Sequence, residues 1–188
     1  LLDAAAALPG GDTLRLAVRS SALQEGGPEL SFAGQYRSLL NVERSGVVEA
    51  FKEVVASKYS PEAITYRLGR GFADSEVAMC CCVLAIVPAR AAGVLYSANR
   101  TERGSLVLIQ AVRGLGLAAV DGSAAPESVL VDRRSLRIVE RRAGLQTDVI
   151  RPASGGGTER VTVAVAATGE VINDEEAVEL AKLALRLE

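Results

Sequence analysis

The stretch Leu16–Val42, LAVRSSALQEGGPELSFAGQYRSLLNV, decides how the rest of the chain is read. Leu14, Leu16 and Val18 alternate as in a half-buried strand, and Arg19-Ser20-Ser21 then turns polar where such a strand ends. A loop with glycines and a proline follows from Gln24 to Glu29. Ser31-Phe32-Ala33-Gly34-Gln35 closes it, and a second apolar segment runs from Leu39 to Val42. An arginine at a strand end beside a loop of small residues suits phosphate. Guanidinium offers a rigid fork of donors, and glycines and serines let backbone N–H groups come close to an anion. The pattern alone favours a plainer alternative, a surface loop in which Arg19 pairs with Glu25 or Glu29.

The surrounding composition narrows the classes. A chain of 188 residues with 49% hydrophobic residues suffices for one domain with a core, or for two small lobes. The net charge of -2, with acids and bases interspersed, argues against nucleic-acid or anionic-membrane partners. No apolar run is long enough to span a bilayer, and no basic-then-apolar leader is present. The chain begins with Leu rather than Met, so a fragment is expected. Histidine is absent, which excludes phosphohistidine chemistry on this chain itself. The only cysteines, Cys80-Cys81-Cys82, point alternately to opposite faces of a strand. That makes a poor disulfide framework and a poor metal clamp, and they read as small residues of a buried strand. Free thiols fit a reduced, cytoplasmic setting.

Outward from the opening stretch, Ser45 is expected to cap a helix reaching Tyr59, with Val48, Phe51, Val54 and Val55 on one face. Ser60 and Pro61 start a second helix, ended by Gly69 and Gly71. Val77–Val87 is nearly all apolar and predicts a buried strand. Strands are expected over 92–97 and 106–112, joined by a polar turn at 99–104, and a hairpin over 128–141. Ala153–Thr158 reads as a glycine-rich linker, and Val161, Val163 and Val165 as an edge strand. Asn173 and Glu176 form a capping-box pattern before a last helix whose apolar face holds Val178, Ala181, Leu185 and Leu180. Arg133, Arg134, Arg137, Arg141 and Arg142 read as a solvated hairpin balanced by Glu140. Helices and strands that mix without strict alternation predict an α+β fold, a mainly antiparallel sheet with helices packed on one side.

Several strings carry a resemblance. AVRSSA followed by SFAGQ and LNV resembles the N-terminal nucleotide-binding domain of the phosphoenolpyruvate synthase and pyruvate phosphate dikinase family, an ATP-grasp domain that rifampin phosphotransferase shares. The likeness continues in order. Ala56–Tyr59 with Ala63–Arg67 is similar to ASLF…RAISYR, Val77–Val87 to a strand ending VQRMV, Gly93–Ser97 to SGVMFS, and Gly114-Leu115-Gly116 with Gly122, Pro126 and Glu127 to GLGE…QG…PDE.

The resemblance implies a partial ATP-grasp domain over residues 1–188, with a lobe or linker boundary near 143–160. It implies ATP as ligand, with Mg2+ held by residues outside this chain. Arg19 would contact the nucleotide phosphates, and Gly34 and Ser38 would lie on the lid over them. Leu84, Ala85, Ile86 and Val87 would be the adenine hinge, where backbone groups read the base. The parent would use ATP to phosphorylate a histidine on a separate swivelling domain and pass the group on to pyruvate or a similar acceptor. Its phosphohistidine and pyruvate-binding domains would be the partners. Three departures stand against this. Leu84 replaces the hinge glutamine, Leu117 replaces the glutamate of GLGE near the ribose, and Leu23-Gln24-Glu25 weakens an acidic pair. Loss of a charged ribose acceptor would remove about 1.5–3 kcal/mol, roughly ten- to over a hundredfold in affinity. The family's upstream lysine and its downstream metal-binding acid and Gln-x-Arg signature fall outside the chain. The alternative is a degenerate ATP-grasp module acting as a scaffold or regulatory domain.

Overall fold

A computed structural model describes residues 14–22, 34–98, 104–120, 122–163 and 169–188. They fall into two compact units. One runs up to Val87 and takes in Pro152–Thr158; the other comprises Pro88–Arg151 and Glu159–Glu188.

The first unit is built on three antiparallel strands in the order β2-β1-β3: β1 (Leu16–Ala22), β2 (Ser38–Val42) and β3 (Met79–Ala85). Leu16 and Val18 point to one face, where Val47, Ala50 and Val54 of helix α1 (Val47–Ala56) cover them. The helix starts later than expected. Arg44–Gly46 forms a 3-10 turn and Gly46 takes the N-cap position without a side-chain cap, so Ser45 does not play that part. Helix α2 (Pro61–Gly69) starts as expected, with the Ser60 hydroxyl accepting from the Ala63 N–H and Pro61 in the first turn. Ala63 meets Ala22, Tyr36 and Val77 in a second small core.

Two expectations for this unit need correction. The 77–87 run is not a buried strand. Among the described residues β3 lies at the edge of the sheet, and its residues are half-buried or exposed, none fully buried. An apolar run reports burial on both faces only where both faces are covered. The glycine-rich 153–157 stretch is the turn between β8 (Asp148–Pro152) and β9 (Thr158–Thr162) rather than a linker. Asn41 holds it. The buried Asn41 amide donates to Ala153 O at 2.6 Å and Gly157 O at 2.8 Å. Asn41 itself sits at φ 59, where the β1–β2 register slips. A bulge in the left-handed region is where asparagine is tolerated best among residues with a side chain.

The second unit carries an antiparallel sheet in the order β4-β5-β6-β7: β4 (Ala91–Tyr96), β5 (Leu106–Arg113), β6 (Glu127–Asp132) and β7 (Ile138–Arg142). Gly93 is required here, because a Cβ would stand 1.9 Å from Gln110 O on the neighbouring strand. After β5 comes the short helix α3 (Leu117–Val120). Helix α4 (Asp174–Leu187) lays Ala177, Ala181 and Ala184 on Val107, Ile109, Val129 and Val131. Its buried stripe is thus made of alanines. Leu180 and Leu185 flank it and Val178 is only half-buried. The Asn173–Glu176 capping box is present in both directions. Of the strand expected over Val161, Val163 and Val165, Val161 lies in β9 and Val163 just past its end, while Val165 lies outside the described residues, as do the 99–103 turn and the first thirteen residues.

Candidate nucleotide-binding face

The odd-numbered residues of β1 point away from α1. Arg19 is in register with Ser38 on β2 and with Cys82 on β3, and Ala17 is opposite Leu84. Directly opposed residues share a face. Arg19, Ser38, Cys82 and Leu84 therefore stand together on the face turned away from α1. Arg19, Ser38 and Cys82 are exposed, and Leu84 is 47% exposed. Arg19 has no ion-pair partner among the described residues, unlike Arg15, which binds Glu43, and Arg37, which binds Glu53. Glu25 and Glu29 lie outside the described residues, as does most of the loop before Gly34. Gly34 is at φ 78 and exposed, four residues ahead of Ser38.

The four residues expected to form the hinge divide by backbone direction. Ile86 N–H donates to Arg15 O at 2.9 Å, so the pairing alternates from that point. Leu84 and Cys82 likewise turn their amides and carbonyls toward β1, and Ala85 and Val83 turn theirs to the outer edge. β3 has no second strand partner among the described residues. Within the strand, Ala85 is the one of them whose backbone is offered outward, while the Leu84 side chain lies on the open face. Val87 is exposed just beyond the strand.

The remaining motif residues belong to the other unit. Gly114 sits at φ 76, where a Cβ would come within 2.4 Å of Ile150 O; any side chain there would break the bridge to β8. Leu117, at the ribose-glutamate position, opens α3 and is half-buried.

The arginine cluster of the β6–β7 hairpin is the solvated face expected of it only in part: Arg134, Arg137 and Arg142 are exposed and Arg142 pairs with Glu140, but Arg141 and Arg133 are drawn in. Arg141 is 18% exposed and reaches Glu127, Asp174 at 2.6 Å and the Ile172 carbonyl at 2.9 Å. Glu127, only 2% exposed, also accepts from the Val171 N–H at 2.9 Å and the Ile172 N–H at 3.1 Å. Burial opposes the charge on Arg141, but hydrogen bonds to Glu127 and Asp174 outweigh it and keep its pKa above the ordinary value. Arg133 binds Glu188 and the Ser97 carbonyl. Glu127 and Arg141 hold the entry of α4, and Arg133 meets its far end at Glu188. Glu127 and Asn41 were visible in the sequence only as members of motif strings, Asn41 as the middle of LNV.

No group of three or more metal-ligating side chains occurs among the described residues. No described helix is long and apolar enough to cross a membrane.

The sequence pattern described as the pyruvate phosphate dikinase AMP/ATP-binding domain matches residues 3–188. The chain belongs to this family. Its α+β, antiparallel architecture is the ATP-grasp-like one of pyruvate phosphate dikinase nucleotide-binding domains. A probable phosphoenolpyruvate synthase of Methanocaldococcus jannaschii is 35% identical over 182 residues, covering 95% of this chain and 15% of that protein. The phosphoenolpyruvate synthase of Pyrococcus furiosus is 35% identical over 188 residues, covering 95% of the chain and 23% of its own length. A rifampicin phosphotransferase of Bacillus cereus is 31% identical over 181 residues, covering 95% and 21%. The chain thus spans a quarter or less of these three relatives.

Proposed function

We propose that this chain is the ATP-binding part of a phosphoenolpyruvate synthase or pyruvate phosphate dikinase-like phosphotransferase. The observation that supports it best is the gathering of Arg19, Ser38 and Leu84 on one open sheet face, beside the outward-facing backbone of Ala85. Arg19 spreads its donors over the phosphate oxygens, Ser38 and Gly34 belong to the lid, and the Ala85 amide and carbonyl meet the adenine edge. Leu84 lies against the base by apolar contact, where a glutamine would hydrogen-bond. The chain holds its nucleotide; the acceptor histidine cannot be here, since the chain has none. The phosphohistidine domain, the pyruvate-binding domain and the Mg2+ ligands belong to the parent, which works in the cytoplasm. A phosphoryl-transfer site needs several charges acting together, so the isolated chain binds rather than catalyses.

A second reading has its own support. Leu84 and Leu117 both put a hydrocarbon where a polar nucleotide contact is expected. The domain would then serve as a scaffold that has kept its fold and lost its ligand.

Calorimetric titration with Mg-ATP and with adenosine separates the two. In the nucleotide reading both bind, and Arg19→Ala weakens ATP by roughly tenfold to a hundredfold while leaving adenosine unchanged. Silence toward both ligands, persisting when the flanking segments of the parent are restored, selects the scaffold.

A further inference from the structure

The open face carries a chemical group that nucleotide binding does not use. Cys80 and Cys82 are two residues apart on β3, so both thiols are on the face of Arg19, whereas Cys81 turns to the α1 core with Leu16 and Val18. Cys82 is in direct register with Arg19, and Cys80 with Ser21. Both are exposed. Cys81 is half-buried, and burial pushes its thiol pKa above the usual 9.0, with Cys80 adding to the effect. The two exposed thiols cannot simply join. Residues two apart on a strand are separated by about 6.6–6.8 Å, with parallel Cβ vectors, against a Cβ–Cβ distance of about 3.5–4.5 Å in a disulfide.

We propose that Cys82 is a modification site for small anionic disulfides, and that its modification closes the nucleotide face. The proposal rests on the nucleotide reading above. The Cys82 thiol loses its proton to solvent, and its sulfur attacks one sulfur of a disulfide such as oxidised glutathione. The disulfide S–S bond breaks, a new S–S bond forms to Cys82, and the departing thiolate takes up a proton. One disulfide is consumed, one is formed and one thiol is released, so no other oxidant is needed. Arg19, in register with Cys82 and without an ion-pair partner among the described residues, favours an incoming molecule that carries carboxylates. The attached tripeptide then occupies the ground in front of Arg19, where the phosphates belong. Cys80 is too far along the strand to resolve the mixed disulfide, so release needs an external thiol.

The test uses the full chain with oxidised glutathione, peptide mapping by mass spectrometry, and ATP calorimetry before and after treatment. The expected result is a mixed disulfide at Cys82 well ahead of Cys81, slowed by saturating ATP. Treatment weakens ATP binding by about tenfold or more, and an added thiol reverses it. Measured against its own untreated affinity, Cys82→Ser loses the sensitivity, while Cys80→Ser keeps it. ATP binding that survives complete modification of Cys82 overturns this proposal alone, as does sensitivity that disappears in Cys80→Ser rather than Cys82→Ser. An untreated chain that binds no ATP overturns the nucleotide reading and this proposal together.

Discussion

Glu127 illustrates how one side chain can organise a unit. Its carboxylate is almost wholly buried at the start of β6 and accepts from two consecutive N–H groups ahead of α4, as well as from Arg141. A buried charge of this kind is tolerable only while every partner remains. Glu127→Ala leaves Arg141 facing a void and strips two buried amides of their acceptor. The expected cost is about 3–5 kcal/mol, read as a fall in the denaturation midpoint. Glu127→Leu with Arg141→Met removes both charges at once and should recover part of that loss, since an apolar pair of similar volume often does no worse than a buried ion pair. A single Glu127→Ala change within about 0.5 kcal/mol of the parent would contradict the role assigned here. The role is structural, so any variant that folds should keep whatever nucleotide affinity the unaltered chain has.

At the level of elements, the features that depend on neighbouring residues were legible in the sequence. Ser60 before Pro61, the Asn173–Glu176 box and the β6–β7 hairpin all form as the residues suggest. Each is a local agreement between a side chain and a backbone group a few residues away. Ser60→Ala removes the acceptor of the Ala63 N–H and should cost about 1 kcal/mol, visible as a lower urea midpoint at unchanged slope. Ser45→Ala makes a control, because Gly46 and not Ser45 holds the N-cap position, and it should shift the midpoint by less than about 0.5 kcal/mol. What escaped the sequence was set by distant partners. The apolar run of β3 read as buried because nothing local tells an edge strand from a central one. Arg141 read as solvated because its partners Glu127 and Asp174 are 14 and 33 residues away. The glycine-rich 153–157 turn read as a linker because its anchor, Asn41, is more than a hundred residues earlier. The open face was partly legible. Motif strings pointed to Arg19, Ser38 and the 84–87 segment, but only strand register puts Cys82 beside Arg19 and separates Ala85 from Ile86.

Over the whole molecule, the titrating groups predict a stability plateau with two different edges. Asp74 is held below its usual 3.8 chiefly by a hydrogen bond from Lys58, Asp132 below 3.8 by the Ser135 N–H, and Glu176 below 4.5 by the Asn173 N–H. A carboxylate with a depressed native pKa binds fewer protons folded than unfolded. Its contribution is complete above the unfolded value and is lost as pH falls through the folded one. Stability should therefore decline as pH drops below about 4.5, first through Glu176 and then through the two aspartates. Cys81 works in the opposite direction. Its raised native pKa means that the unfolded thiol ionises first, so stability falls as pH rises past the usual 9.0. Between these edges the chain has no histidine to titrate, and stability should be nearly flat from about pH 5 to 8. Denaturation midpoints measured across pH check this. Asp74→Asn and Glu176→Gln should each make the acid side shallower, and Cys81→Ser should remove the alkaline decline without touching the acid one. A steep slope near neutrality would mean that an ionisable group other than these four governs the folding of the molecule.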